Sequence, residues 1–321
     1  MVMTTDSSVS NGPDQSGTTA DQSGTSANQS GTGTPPWFTA AIADRPEHRD
    51  VEVEGVRVHL RCWGKPGTKG VVLVHGGSAH SGWWDHIGPL LAASHRVVAL
   101  DLTGHGDSGV RDGYPLTTWA AEVLAAAEAG GIAGHPYVVG HSMGGWVTSA
   151  VGGIHADSVS GIVIIDSPLL DEPPEEVIIR QLSRKARVYA TQDEICARFR
   201  TEPAQDVLLP YVAAHVAVES VRHTDAGWMW KFDPEMFRKR HERRELIHVR
   251  DLLSNVRTPT VYIRCEQGIV PPEVAQEIVS LFTPPAVVVE LALAGHHPMM
   301  DQPLALVATL RTALAHWDSM L

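Results

Sequence analysis

The sequence predicts an α/β protein: a mostly parallel central sheet covered by helices on both faces, with a helical segment inserted late in the chain. Three observations carry that expectation. A short continuous apolar run at 71–74 is what a buried parallel strand requires, further strands read at 96–101, from Tyr137 and at 161–166, and segments of helical period separate them. The alternation stops after Asp166 and resumes at Thr260, so the residues between read as an insertion. Lastly, Tyr137-Val138-Val139 runs into Gly140-His141-Ser142-Met143-Gly144 and then an apolar-periodic segment, which reads as strand, sharp turn and helix.

In chain order, residues 1–36 are mostly Ser, Thr, Gly, Asn, Gln and Asp, with a repeat of seven-residue period that starts at Asp14, Asp21 and Asn28. Apart from Ala20 and Ala27 the repeat holds no apolar residue, so it has almost nothing to bury and is expected to be a disordered tail. After a lead-in at 37–49, Val51 and Val53, then Val56, Val58 and Leu60, alternate around Glu54-Gly55 as a hairpin. The run 71–74 ends in His75-Gly76-Gly77-Ser78, a helix is expected at 84–93, and an alanine-rich helix at 116–129. The insertion, 167–253, has helical periodicity, charge and an aromatic stretch at 228–234, but no convincing strand. Strands at 260–264 and 286–291 then flank a helix at 272–281, and Asp301 and Pro303 suit the start of a last helix at 302–317. The expected organisation is a tail at 1–36, a core at 37–166 and 254–321, and a cap at 167–253.

Composition excludes several function classes. A formal charge of -12 argues against nucleic acid or an anionic membrane as partner, and the basic run 238–244 contains an acid, as a solvated helix face does. Three cysteines without C-x-x-C spacing read as reduced thiols of a cytoplasmic protein. No apolar run reaches the roughly 18 residues of a membrane span, and the first residues lack the pattern of a signal peptide. The 17 histidines show no H-x-x-x-H or H-E-x-x-H spacing, so no metal site is expected. Gly104-His105-Gly106-Asp107-Ser108-Gly109 fits a dinucleotide fingerprint, but residues 110–115 are turn-like where that motif needs a helix.

Four polar motifs end predicted strands: His75-Gly76-Gly77, Ser142, Asp166 and Gly295-His296, in the order Ser, Asp, His. With Asp101 to Ser108 after the fourth strand, they give residues 50–319 a joint pattern that resembles the α/β-hydrolase family. The resemblance implies that Ser142 is a nucleophile, His296 its base and a carboxylate the orienter of the imidazole, with no cofactor. It implies an oxyanion site at the backbone N–H groups of Gly77 and Met143, with Ser78 N–H the alternative donor. His296, directly after the glycine, is favoured over His297, and His75, His105 and His141 read as structural. The acid departs from the family pattern. The loop after 260–264, where most members carry an Asp, reads Cys265-Glu266-Gln267-Gly268, so Asp166 is favoured, with Glu266 the alternative.

Tyr211, Trp228, Trp230 and Phe232 of the insertion, with Trp83, Trp84 and Ser78 opposite, suggest a pocket for an apolar or aromatic substrate. The expected activity is cofactor-free hydrolysis of carboxylic esters or lactones of a small molecule. The alternatives are C–C bond hydrolysis with the same residues and a ligand receptor on a hydrolase scaffold. Epoxide hydrolases and haloalkane dehalogenases are disfavoured, because both need a carboxylate where Ser142 stands. Whether the chain forms a homo-oligomer stays open.

Overall fold

Eight strands form one sheet, in the order β1-β2-β4-β3-β5-β6-β9-β10. They are β1 (Glu47–Val53), β2 (Val56–Trp63), β3 (Gly70–Val74), β4 (Arg96–Leu100), β5 (Tyr137–His141), β6 (Gly161–Ile165), β9 (Thr260–Gln267) and β10 (Val287–Gly295). The pairs β1/β2 and β2/β4 are antiparallel, and all later pairs are parallel. The structure is a computed structural model and describes residues 33–169, 182, 186–242 and 247–320. The tail expected at 1–36 therefore lies outside the described residues up to position 32, and Pro36 already opens the helix α1 (Pro36–Ala43).

The pleat sends successive side chains to opposite faces, and two cores result. Val72, Val74, Val98, Leu100 and Val138 pack on one face with residues of α3 (Leu116–Ala129) and α4 (Met143–Ile154). Val71, Leu73, Val97, Ala99 and Val139 pack on the other with Leu306, Leu310 and Leu314 of the C-terminal helix, Pro303–Asp318. With helices on both faces of the sheet, the open place for a small molecule is the rim outside the carboxyl ends of the parallel strands.

Three expectations need correction. The helix expected at 84–93 is a 3₁₀ turn, Ser81–Trp84, followed by a four-residue helix α2, Gly88–Leu91. Pro89 lacks an N–H and is tolerated only in a first turn, so the helix restarts there. The first strand begins at Glu47, not Asp50. Most consequentially, the insertion is not all helical. Between α6 (Pro210–Glu219) and α7 (Met236–Glu242) lies an antiparallel hairpin, β7 (Val221–Thr224) and β8 (Gly227–Trp230). Its four-residue strands are too short to show a period of two. It is held from outside the hairpin as well, since Tyr189 and Trp228 exchange both backbone hydrogen bonds at 2.9 Å. The remaining described helices of the segment are α5 (Gln192–Cys196) and α8 (Val249–Ser254).

Candidate active site

Adjacency of β3, β5 and β6 in the sheet sets the loop after β3, Ser142 and Asp166 side by side at one rim. Ser142 sits between β5 and α4 with φ 53° and ψ -118°. A β-carbon rarely tolerates that backbone, which lifts the side chain out of the turn. The turn is this tight because neither flanking glycine has room for a side chain. A Cβ on Gly140 would strike the Gly144 carbonyl, and one on Gly144 would come within 2.5 Å of the Val74 carbonyl oxygen. Ser142 N–H donates to Ile165 O at 3.0 Å, and Ser167 Oγ donates to Ser142 O at 2.7 Å.

A continuous chain of contacts runs from that serine. His296 Nε2 lies 3.0 Å from Ser142 Oγ, and His296 Nδ1 lies 2.7 Å from Asp166 Oδ2. A carboxylate that accepts at Nδ1 fixes the proton there and leaves the Nε2 lone pair facing the serine. Asp166 is fully buried at φ 42° and also accepts from Cys265 N–H at 3.1 Å and Ile269 N–H at 2.9 Å. Gly268 makes this seat possible, because any Cβ there would occupy the position of the carboxylate. Glu266, the alternative acid, is exposed and accepts instead from Leu293 N–H at 2.6 Å.

Two more histidines surround the ring of His296. His141 Nε2–H donates to the His296 carbonyl at 2.7 Å. The His297 ring meets that of His296 edge-on, with centroids 4.6 Å apart. Burial, reinforced by the charge His296 would carry when protonated, holds both His141 and His297 well below the usual imidazole range. They stay neutral beside the one histidine that faces the serine. Ligand atoms of all three lie within 4.8 Å of one another, a cluster that sequence spacing does not reveal. Their present bonding ties His296 to Ser142 and Asp166, and His141 to a carbonyl.

The loop that bears His296 is pinned from two sides, which the sequence reading missed. Gln205 Oε1 accepts from His297 N–H at 2.9 Å, and Gln205 Nε2–H donates to Asp301 Oδ2 at 2.8 Å. The same Asp301 oxygen accepts from Gly295 N–H at 2.6 Å. Burial raises the Asp301 carboxyl above its ordinary value. No local motif announces a clamp between residues 96 positions apart.

The proposed oxyanion donors flank the serine. Met143 holds the first position of α4, where the N–H has no intrahelical partner. Across from it a Cβ on Gly76 would lie 3.3 Å from Ser142 Cβ, and one on Gly77 would lie 3.7 Å from Met143 Sδ. Ser78, the alternative, follows at φ 60°.

A cavity of about 530 Å³ adjoins the rim, and Gly77, Ser78 and His297 form part of its wall. Opposite are Tyr189, Phe199, Met229, Trp230 and Phe232 of the insertion, with Trp83 from the core. Ser78 and Trp230 thus lie where a substrate pocket was expected. Trp84 and Trp228 do not. Trp84 is fully buried in the core, because the 3₁₀ turn points Trp83 and Trp84 in different directions. Trp228 is paired with His223 across the hairpin, and its ring packs against that imidazole at 5.3 Å instead. Tyr211 also belongs elsewhere, against Phe38 at 4.8 Å.

Residues 71–310 match the model of the alpha/beta hydrolase family. Among curated relatives, epoxide hydrolase B of Mycobacterium tuberculosis is 34% identical over 127 residues. That match covers 38% of this chain and 35% of the relative, so the chain spans about a third of that protein's length. A serine hydrolase-like protein of Danio rerio is 25% identical over 276 residues, 78% of this chain and 82% of that one. An esterase of Mycobacterium tuberculosis is 26% identical over 196 residues, 57% of this chain and 63% of that protein. Its solved structure superposes with a TM-score of 0.66 at 20% identity, covering 87% and 98% of the two chains, a likeness of fold.

Proposed function

The chain belongs to the alpha/beta hydrolase family, and from that premise we propose that it is a serine hydrolase that cleaves carboxylic esters or lactones through an acyl-enzyme on Ser142. The observation that carries the reading is the unbroken line Ser142 Oγ, His296, Asp166, with steps of 3.0 and 2.7 Å. An aspartate at the nucleophile position would suit a different chemistry, and this chain has serine there.

Ser142 Oγ forms a bond to the acyl carbon while its proton passes to His296 Nε2. The carbonyl oxygen becomes an oxyanion between the N–H groups of Gly77 and Met143, each worth about 2.7–4 kcal/mol in the transition state. Collapse breaks the bond to the alkoxy oxygen, which takes the proton from His296 and leaves as alcohol, or stays tethered where the substrate is a lactone. Water then gives a proton to His296 and its oxygen to the acyl carbon. The carboxylic acid departs as Ser142 regains its proton. Asp166 keeps the imidazole in the tautomer both halves require, and neutral His141 and His297 do not compete for the proton. The insertion acts as a cap, and its aromatic wall takes the apolar part of the substrate.

A fluorophosphonate probe tests the reading. It is expected to attach covalently to Ser142 in the wild-type chain and not to label Ser142→Ala, and an unlabelled wild-type chain would sink the proposal. Turnover of p-nitrophenyl esters of graded chain length against a lactone panel then separates the two substrate types.

A further inference from the structure

Charge on the cavity wall runs opposite to that of the whole chain. The protein carries a formal charge of -12, yet the charged side chains lining the cavity are Arg187, Arg198, Arg200 and Lys231, against the one acid Glu202. Their compensation is uneven. Lys231 is matched by Asp107 at 2.9 Å. Arg198 meets Glu194 only at 3.8 Å, in an exposed pair of the kind that contributes little, and its guanidinium sits 5.6 Å from the centre of the Tyr189 ring. Arg200 donates to the carbonyl oxygens of Ala197 and Phe199 at 3.3 and 2.6 Å, neutral acceptors, and has no ion-pair partner among the described residues. Arg187 has no ion-pair partner among the described residues.

Unopposed guanidinium groups beside an aromatic wall make a directional anion site. The ring surfaces of Tyr189, Phe199 and Trp230 exclude water and strengthen the attraction, and the planar fork of arginine matches the oxygens of a carboxylate or phosphate. We infer that the substrate is an ester with an apolar body that carries an anionic oxyacid group, carboxylate or phosphate, remote from the scissile carbonyl, and that Arg187, Arg198 and Arg200 hold that group. The inference rests on the serine-hydrolase reading and narrows its substrate class. A volume of about 530 Å³ accommodates a small molecule of that kind.

The test uses the full chain and three p-nitrophenyl esters whose acyl chains have equal length and end in methyl, carboxylate or phosphate. At about 0.01 M ionic strength, kcat/KM for the better anionic ester is expected to exceed that of the neutral one by about tenfold. That ratio shrinks at about 1 M salt, where screening acts within roughly 3 Å. In the double variant Arg187→Ala/Arg200→Ala, both exposed positions, the ratio falls toward one. The ranking of carboxylate and phosphate identifies the group. A ratio of one or less at low salt, or one that the double variant leaves unchanged, overturns the inference while the hydrolase reading stands. Failure to cleave any ester would instead count against that reading. Quenching of tryptophan fluorescence by an arylalkanoate and by its alcohol then decides the charge preference without catalysis: tighter binding of the anion supports it, and equal binding overturns it.

Discussion

The rim of the sheet and the wall of the inserted segment solve opposite problems. At the rim, three side chains from three loops are held by buried backbone, with steps of 3.0 and 2.7 Å between them. Asp166 has no solvent exposure, His296 has 4%, and two residues of the set stand in the left-handed region of φ. The wall is built from half-buried or exposed side chains on short elements, among them the four-residue strand β8 and an irregular stretch around Arg187. The contrast teaches that chemistry here depends on rigid geometry, whereas selection of substrate depends on charge and shape that a few substitutions could redraw. Predictions that break the two regions separately should therefore give different kinds of loss.

The largest effects belong at the rim. Ser142→Ala or His296→Ala is expected to lower kcat by about 10⁶-fold, since neither proton transfer nor acylation survives. Asp166→Asn should lower it by about 10⁴-fold, because an amide cannot enforce the same imidazole tautomer. Glu266→Gln, whose acid accepts from Leu293 N–H and from no other donor among the described residues, should fall short of that loss by orders of magnitude. Steady-state kinetics on a p-nitrophenyl ester checks all four. A crippled Glu266→Gln beside a normal Asp166→Asn would reverse the assignment of the acid.

The same contrast explains what could be read from the sequence. Ser142 was legible because a turn without room for a Cβ demands Gly140 and Gly144, and that demand leaves a local pattern. The alternation of buried strands with helices was legible for a similar reason, since both sheet faces must be apolar. Asp166 was legible only by elimination, from a vacant position after β9. Nothing local marks Gln205 or Asp301, whose clamp on the His296 loop joins distant segments, nor Arg187, Arg198, Arg200 and Lys231, whose meeting is a product of the fold. The tryptophans failed in a third way. Composition says an aromatic wall is available, but which of two neighbouring rings faces it depends on the local turn.

Trp84 and Trp230 make that last point measurable. Trp84 is fully buried, so Trp84→Ala is expected to cost about 3–5 kcal/mol of stability by leaving a cavity, read from denaturant unfolding, with activity of the folded fraction retained. A loss confined to KM would return Trp84 to the substrate pocket.

Acid should weaken the fold as a whole. Burial depresses the imidazoles of His86 to about 4 and His105 to about 3, and also lowers His75, His80, His141 and His297. An unfolded chain takes up these protons below pH of about 6.5 while the folded one refuses them. The unfolded state then binds more protons, so stability rises with pH through this window and is lost on acidification. Each fully depressed histidine contributes about 1.4 kcal/mol per pH unit below that point. Glu122 and Asp301, whose carboxyls burial raises, oppose the trend. Unfolding midpoints measured from pH 7 to pH 5 should fall steadily, and His105→Gln should flatten the slope. A flat wild-type profile would mean that the buried imidazoles take up protons without loss of the fold.

The smallest effect belongs to the wall. Trp230 is half-buried at the end of β8 and lines the cavity, so its ring loses little packing when truncated. A substrate seated against that ring loses apolar contact worth about 1–2 kcal/mol. Trp230→Ala is therefore expected to raise KM by about tenfold for an aromatic ester, to leave kcat within a small factor, and to leave the unfolding midpoint nearly unchanged. The proportion matters more than the size. A binding contact made equally in ground and transition states changes KM alone, while a contact that tightens only during reaction would lower kcat as well. If kcat falls with KM unchanged, the wall takes part in positioning the acyl carbon over Ser142, and the division of labour between rim and insertion is less sharp than their structures imply.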